Sequence, residues 1–253
     1  MLVHETYGET GQPKLLLVHG LFGSGRNWRA IAKRMSSDFQ VTTVDMRNHA
    51  GSFWSDEMTY QMMAQDLAEV IERLGAPAMV MGHSMGGKAA MVLALARPEL
   101  VERLIIADIA PVHYTHSHAH FVDAMQDMDL SKIKKRSDVG EALSQSVEEP
   151  ALRTFFAQSI EITSEGARWM LNLEVLKSSM EDILSFPNVS GSYGEKTLFV
   201  GGAESDYIDD HGREAITPLF PNARFAKLKN AGHWLHADQP KAFVQTLQVF
   251  CLS

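Results

Sequence analysis

Six short apolar segments recur along the 253-residue chain, and segments with helical spacing lie between them. The apolar segments are residues 14–18, 41–45, 78–81, 103–106, 196–200 and 224–228. The clearest helical pattern spans residues 59–74, with Thr59 as its N-cap and Gly75 as its stop. Strands that alternate with helices predict an α/β fold: a mostly parallel central sheet flanked by helices on both faces.

The alternation stops between Pro111 and Pro187, where we find no convincing buried strand. Helical patterns occupy this part instead, among them residues 139–147 and 151–160. Because the sheet pattern resumes at residue 196, the sequence predicts a core made of residues 1–110 and 190–253. A helical cap is then inserted at residues 111–189. The competing interpretation is an independent second domain.

Charge and composition narrow the range of partners. The net charge of −8 disfavours binding to nucleic acid and to anionic membranes. The single cysteine, Cys251, excludes an intramolecular disulfide and fits a reducing compartment. The first residues show no signal-peptide pattern, and no apolar run is long enough to span a bilayer. We therefore expect a cytoplasmic protein, monomeric or homodimeric, that acts on a small molecule.

A glycine-flanked serine follows the segment at residues 78–81. Gly82-His83-Ser84-Met85-Gly86 matches the pattern G-x-S-x-G, and a helix of small and apolar residues comes next. A sharp turn from strand to helix strains the serine backbone, and the glycines relieve the crowding. The turn presents the hydroxyl at a helix N-terminus, where the helix dipole favours negative charge. The pattern predicts Ser84 as a nucleophile, against the alternative of an ordinary glycine-rich turn.

The loop after the first strand, His19-Gly20-Leu21-Phe22-Gly23, is the expected source of an oxyanion hole. In a fold with such a nucleophile, this loop supplies one backbone N–H and the residue after the nucleophile supplies the other. By position the donors are the N–H groups of Phe22 and Met85. Loss of one such donor typically costs about 10²–10³ in rate.

A general base is expected late in the chain. His233 follows Gly232 in the loop after the last strand and is the better candidate, while His236 has the position of a structural residue. A second group of histidines has a spacing that suits no familiar metal site, so we expect no metal and no cofactor. That group is His113, His116, His118 and His120.

Two carboxylates compete for the third position of the triad. Asp108 follows the segment at residues 103–106, and Asp206 follows the segment at residues 196–200. Both lie at the edge of the sheet where an acid can accept a hydrogen bond from the base. The residue pattern alone leaves both open.

Five groups of residues together resemble a known family: His19 to Ser24 with Asn27-Trp28, Asp45-Met46-Arg47-Asn48-His49, Gly82 to Lys88, Asp108-Ile109-Ala110-Pro111 and Gly232-His233-Trp234. These motifs resemble those of the YbfF-type esterase family of the α/β-hydrolase superfamily. The resemblance covers most of the chain and is weakest at residues 113–192. This chain departs from the family pattern at Ala50, where glycine is usual, and in the extra acidic pair Asp209 and Asp210.

The resemblance implies an α/β-hydrolase fold with Asp108 as the acid, because Ser205 stands where other α/β hydrolases place theirs. It also implies hydrolysis of short- to medium-chain acyl esters, extending to thioesters of coenzyme A. Ser84, His233 and Asp108 would form the triad and pass through an acyl-enzyme. Candidates for the acyl pocket are Phe22, Phe155, Trp169 and Trp234, with cap core as the alternative for the cap residues.

Other functions remain open on the same residues. A cofactor-free perhydrolase or a carbon–carbon bond hydrolase uses the same triad. A small-molecule receptor with little turnover is an alternative of a different class.

Overall fold

The structure is a computed structural model that describes residues 1–115 and 118–253. The strands are β1 His4–Tyr7, β2 Lys14–Val18, β3 Gln40–Val44, β4 Ala78–His83, β5 Val101–Ala107, β6 Ile160–Thr163, β7 Gly166–Trp169, β8 Thr197–Gly202 and β9 Ala223–Leu228. The helices are α1 Arg29–Met35, α2 Tyr60–Arg73, α3 Met85–Ala96, α4 Ala119–Gln126, α5 Arg136–Ala142, α6 Pro150–Phe156, α7 Leu173–Ser178, α8 Met180–Leu184, α9 Asp210–Leu219, α10 Leu235–Asp238 and α11 Pro240–Leu252.

The central sheet has the strand order β1-β3-β2-β4-β5-β8-β9. Strand β1 is antiparallel to β3, and every other neighbouring pair is parallel. Helices cover both faces, so the predicted α/β fold is confirmed. The carboxyl ends of the parallel strands meet at one edge, where ligands bind in open sheets of this kind.

Burial on both faces explains why the strands appear as continuous apolar runs. Strand β2 directs Leu15 and Leu17 to the hydrophobic cluster that α1 and α11 cover. It directs Leu16 and Val18 to the opposite cluster, which α2 and α3 cover. All four side chains are fully buried.

Local signals set the bounds of α2. The predicted N-cap, Thr59, accepts a hydrogen bond from the N–H of Met62 at 3.3 Å. Gly75 follows the helix with a φ of +78°, a left-handed conformation that glycine adopts without strain. The prediction for this helix is confirmed to within a residue at each end.

The sequence pattern does not predict strand β1, because its side chains are mostly exposed and it has no apolar run. Hydrogen bonds to β3 hold it at the edge of the sheet, in a register that pairs His4 with Val44. Tertiary pairing therefore makes a strand of a segment whose own pattern gives no such signal.

The insertion, defined as residues 111–189, is not wholly helical, and the sequence prediction is wrong on this point. Its strands β6 and β7 form an antiparallel hairpin that pairs Ile160 with Trp169. The predicted helix at residues 151–160 is α-helical only to Phe156, and a 3₁₀ turn at Ala157–Ser159 then leads into β6. The hairpin is short and only half-buried, so it lacks the apolar run of a core strand. The bounds of the insertion remain a prediction.

In the part of the chain that the structure describes, no helix combines the length and the apolar character needed to cross a membrane.

Candidate active site

Ser84 occupies a strained turn between β4 and α3. Its φ of 52° and ψ of −122° lie outside the regions that residues with side chains normally adopt. The backbone around it packs too tightly for any side chain at the flanking glycines. A Cβ at Gly82 would lie 2.3 Å from the carbonyl oxygen of Gly86, and a Cβ at Gly86 would lie 2.3 Å from that of His19. The glycines predicted to relieve crowding therefore do so by allowing this close approach.

Asp108 and His233 form a hydrogen-bonded pair at the same edge of the sheet. Asp108 follows β5, is fully buried, and accepts the Nδ1–H of His233 on Oδ2 at 2.8 Å. The carboxylate also accepts the N–H of Gly202 on Oδ1 at 2.9 Å and the hydroxyl of Ser205 on Oδ2 at 2.5 Å. Three donors thus compensate a carboxylate that burial would otherwise disfavour.

The alternative acid, Asp206, does not take this position. Its side chain is exposed, and its neighbour Ser205 is the residue of that loop that reaches Asp108. Among the described residues, Asp108 is the carboxylate that contacts the ring of His233.

Two further residues hold His233 in place, one through its ring and one through its backbone. Tyr207 stacks on it with 4.0 Å between ring centroids and 22° between ring planes. His83 donates its Nε2–H to the backbone oxygen of His233 at 2.8 Å. Burial holds the pKa of His83 well below its usual value, so this ring is neutral and its tautomer follows from the bond it donates. His83 belongs to the nucleophile motif and Tyr207 lies in the loop after β8, but sequence spacing does not reveal these contacts.

Ser84 and His233 line the same cavity. Within the described residues, no hydrogen bond joins the Ser84 hydroxyl to His233. In free enzymes such bonds are often long and tighten only when substrate binds.

The structure contradicts the predicted role of the Phe22 amide. Phe22 lies in a turn closed by the N–H of Gly23 and the carbonyl of Gly20, and its φ is 64°. This conformation directs its N–H to Nε2 of His49 at 3.2 Å, so the donor is already in use. Within the described chain, the N–H groups of Leu21 and Met85 have no protein acceptor, and both residues line the cavity. The sequence prediction missed Leu21 because the His49 contact comes from another loop.

Two buried neutral histidines fix this loop. His49 donates its Nδ1–H to the carbonyl of Arg47 at 2.9 Å, which leaves Nε2 as the acceptor for Phe22. His19 donates its Nδ1–H to the carbonyl of Gly20 at 2.7 Å and accepts the N–H of Met46 on Nε2 at 2.9 Å. Burial lowers the pKa of His19 to about 4 and that of His49 to about 3.

These pKa values predict a loss of stability in mild acid. The unfolded chain takes up protons on His19 and His49 near pH 6.5, whereas the folded chain does so only near pH 4 and pH 3. The contribution of these two rings to stability is therefore fully present above pH 6.5. It falls as the pH is lowered from 6.5 towards the folded-state values, and the loss levels off below them. At about pH 4.5 the two groups together should cost on the order of 5 kcal/mol of unfolding free energy.

Urea unfolding measured between pH 7.5 and pH 4.5 tests this prediction. We expect His49→Gln to flatten the dependence on pH, because one buried titrating ring is gone. The control is His4→Gln at an exposed position, which should keep the wild-type slope. A flat wild-type profile would contradict the prediction.

A cavity of about 210 Å³ opens at Ser84 between the core and the insertion. Of the predicted pocket residues, Phe22, Phe155 and Trp234 line it. Trp169 does not, and its assignment to the pocket is corrected: it is buried within the insertion, where its indole N–H donates to the carbonyl of Met125 at 2.9 Å. Phe156, a further cap residue that the sequence suggests for this pocket, also lines it. The other apolar lining residues are Leu21, Tyr60, Met85, Ile109, Phe121, Leu152, Ile183 and Leu184.

The histidine group in the insertion gives no metal site among the described residues. His113 lies within 3.0 Å of the Ser185 hydroxyl through Nδ1 and within 3.8 Å of Glu181. His116 lies outside the described residues.

A mostly parallel sheet with a strained serine turn between β4 and α3 is the fold of the α/β hydrolases. A sequence model described as the alpha/beta hydrolase family matches residues 15–246, and the chain belongs to this family. Several of its curated relatives are named as esterases or lipases, and the chain is a hydrolase of this type.

Two curated relatives and one solved structure show which hydrolases this chain is similar to. The chain is 38% identical to the sn-1-specific diacylglycerol lipase ABHD11 of Mus musculus, over 96% of this chain and 82% of that protein. It is 31% identical to Esterase YbfF of Escherichia coli (strain K12), over 92% of this chain and 91% of that protein. The solved structure of a marine microorganism esterase is 37% identical, has a TM-score of 0.94 and covers 98% of both chains. The expected likeness to the YbfF-type esterases is therefore confirmed.

Proposed function

We propose that this protein is a serine carboxylesterase in which Ser84, His233 and Asp108 form the catalytic triad. The observation that carries the proposal is the joint placement of Ser84 and the Asp108–His233 pair at one cavity. Asp108 holds the Nδ1–H of His233, which leaves Nε2 free to take a proton from the attacking hydroxyl.

The reaction then follows in two halves. His233 removes the proton of Ser84 as its oxygen attacks the carbonyl carbon, and the N–H groups of Leu21 and Met85 stabilise the oxyanion. Met85 is the first residue of α3, so its N–H is also at the positive end of a helix dipole. Protonated His233 gives its proton to the leaving alcohol. A water molecule, deprotonated by His233, then releases the acid from Ser84.

The cavity supports esters of short- to medium-chain acids as substrates. Its volume of about 210 Å³ is smaller than the roughly 300–1,000 Å³ typical of pockets for drug-sized ligands. Its walls are mostly apolar, which suits an aliphatic acyl chain and either an alcohol or a thiol leaving group. The mouse relative is named for diacylglycerol, a larger ester, and we expect shorter esters to be better substrates here.

The insertion acts as a cap in this proposal. It contributes Leu152, Phe155, Phe156, Ile183 and Leu184 to the cavity wall, opposite the residues from the core. Water is thereby excluded from the acyl chain, while Ser84 stays half-exposed at the cavity.

Covalent labelling and turnover test the proposal together. A fluorophosphonate should modify Ser84, as located by peptide mapping. Turnover of p-nitrophenyl acetate, butyrate and octanoate should be higher than turnover of a long-chain diacylglycerol in detergent micelles. Labelling at another serine, or no ester hydrolysis despite labelling, would contradict the esterase assignment. Activity on peracid formation or carbon–carbon cleavage alone would favour the alternative reactions.

A further inference from the structure

Lys88 is a buried cation on helix α3, one helical turn after Ser84. Its side chain is 1% exposed. No carboxylate within the described chain pairs with its ammonium group. Instead Nζ donates to the carbonyl oxygens of Val112 at 2.8 Å, Leu184 at 2.7 Å and Ser185 at 2.8 Å. An ammonium group has three N–H donors, so these contacts use all of them.

The three carbonyls belong to the two ends of the insertion. Val112 lies where the chain leaves the core, and Leu184 and Ser185 lie where it returns. The two ends are also joined to each other, because the N–H of Tyr114 donates to the carbonyl of Leu184 at 3.1 Å. Lys88 therefore connects the helix that begins at the nucleophile to both ends of the segment that covers it.

Lys88 lies at the inner end of the cavity. It and Tyr60 line the cavity wall with 1% and 3% of their surface exposed. Phe155 and Trp234 line the same cavity but are half-buried, which places them nearer the mouth. Tyr60 also donates its hydroxyl to the carbonyl of Ile183 at 2.6 Å, so the returning segment has a second attachment there.

Core packing alone does not account for a lysine at this position. Burying an ammonium group without a counter-charge is costly, and burial lowers the pKa of Lys88 to about 7. The three carbonyl oxygens are all acceptors and need three N–H donors, so this geometry belongs to the protonated form of Lys88. The ring of Tyr114 lies 4.8 Å from Nζ and offsets part of this cost. A methionine would fill a similar space with no charge to compensate.

We propose that Lys88 is a positioning residue that fixes the insertion against the nucleophile helix and thereby limits the length of the acyl chain that the cavity accepts. This inference rests on the proposed esterase function. A chain longer than the cavity must push Ile183 and Leu184 away from α3. Three charge-assisted hydrogen bonds oppose that movement.

The test compares Lys88→Met with the wild type on p-nitrophenyl acetate and octanoate. The ratio of kcat/KM for octanoate to that for acetate should rise at least about tenfold, a discrimination of the size attached to one methylene group. The change should come from a lower KM for octanoate, while the rate of fluorophosphonate labelling at Ser84 stays near the wild-type rate. In hydrogen exchange, the amide of Tyr114 should open about tenfold more often, because its acceptor segment has lost a charged donor.

Two further variants complete the design. Tyr193→Phe removes a buried tyrosine hydroxyl that donates to the carbonyl of Val101 at 2.8 Å away from the cavity, and it should leave the ratio unchanged. Tyr60→Phe removes the other attachment of the returning segment and should raise the ratio by a smaller factor. If Lys88→Met does not fold, the Tyr60→Phe variant tests whether attachment of the returning segment limits the length of the acyl chain.

The outcomes separate this inference from the esterase proposal. A folded Lys88→Met that keeps the wild-type ratio, or loses both activities equally, overturns the role of Lys88. That role is also overturned if Lys88→Met does not fold and Tyr60→Phe leaves both the ratio and the Tyr114 exchange unchanged. If the wild-type protein hydrolyses no ester, the proposed function is contradicted instead. In that case, unchanged hydrogen exchange at the Tyr114 amide in Lys88→Met would overturn the attachment of the insertion by Lys88.

Discussion

Replacing Ser84 by alanine should lower ester hydrolysis by about 10⁶-fold, the scale seen when a serine protease loses its nucleophile. The physical reason is that the other groups of the site act on the hydroxyl oxygen of Ser84, which alanine lacks. His233 has no hydroxyl to deprotonate, and without the attack of that hydroxyl the amides at the cavity have no oxyanion to stabilise. Turnover of p-nitrophenyl butyrate, measured against the uncatalysed rate, gives the size of the loss.

Stability measurements separate this loss from unfolding. Alanine keeps the Cβ that serine carries in the strained turn, so the melting temperature of Ser84→Ala should stay near the wild-type value. The matched control is Ser178→Ala, an exposed serine on α7 that should retain full activity. Hydrolysis that survives in folded Ser84→Ala would place the nucleophile elsewhere in the chain.

Much of the fold is predictable from the sequence because the central strands are buried on both faces. Strands such as β2 therefore appear as uninterrupted apolar runs with turns at their ends. Strand β1 and the hairpin of β6 and β7 have partly exposed side chains, so pairing partners and not composition determine them. Sequence patterns that depend on burial fail where burial is incomplete.

The candidate site shows a similar division. Ser84 and His233 follow from spacing, because Ser84 directly follows β4 and His233 lies in the short loop between β9 and α10. The direction of the Phe22 amide does not, since it depends on His49 from a loop 27 residues away. Trp169 is excluded from the cavity by a hydrogen bond to Met125, which no local pattern indicates.

The same limit applies to Lys88, which enters the sequence patterns only as part of a family motif. Its three carbonyl partners lie 24, 96 and 97 residues further along the chain. A basic residue on a helix normally faces solvent, so its sequence position gives no sign that it is buried beneath the insertion.

The choice between the two carboxylates leads to the second large effect. Asp108→Asn should lower turnover by about 10⁴-fold, whereas Asp206→Asn should change it little. Asparagine at position 108 has one oxygen and one NH₂ group. The fixed N–H of Gly202 requires the oxygen at the place of Oδ1, so the NH₂ group takes the place of Oδ2 and faces Nδ1 of His233. His233 must then carry its proton on Nε2, and in that tautomer it cannot accept the proton of Ser84.

Asp206→Asn is a closely matched control because it makes the same chemical change on an exposed side chain near Ser205, one of the donors to Asp108. Both variants should be measured for kcat on the same ester and for thermal unfolding. A fall in kcat for Asp108→Asn at unchanged fold, with Asp206→Asn near the wild type, is the expected result. Small and equal losses would mean that His233 does not depend on Asp108 for its tautomer. A large loss confined to Asp206→Asn would mean that the exposed carboxylate moves to His233 during turnover, because in the free structure only the buried one contacts the ring within the described residues.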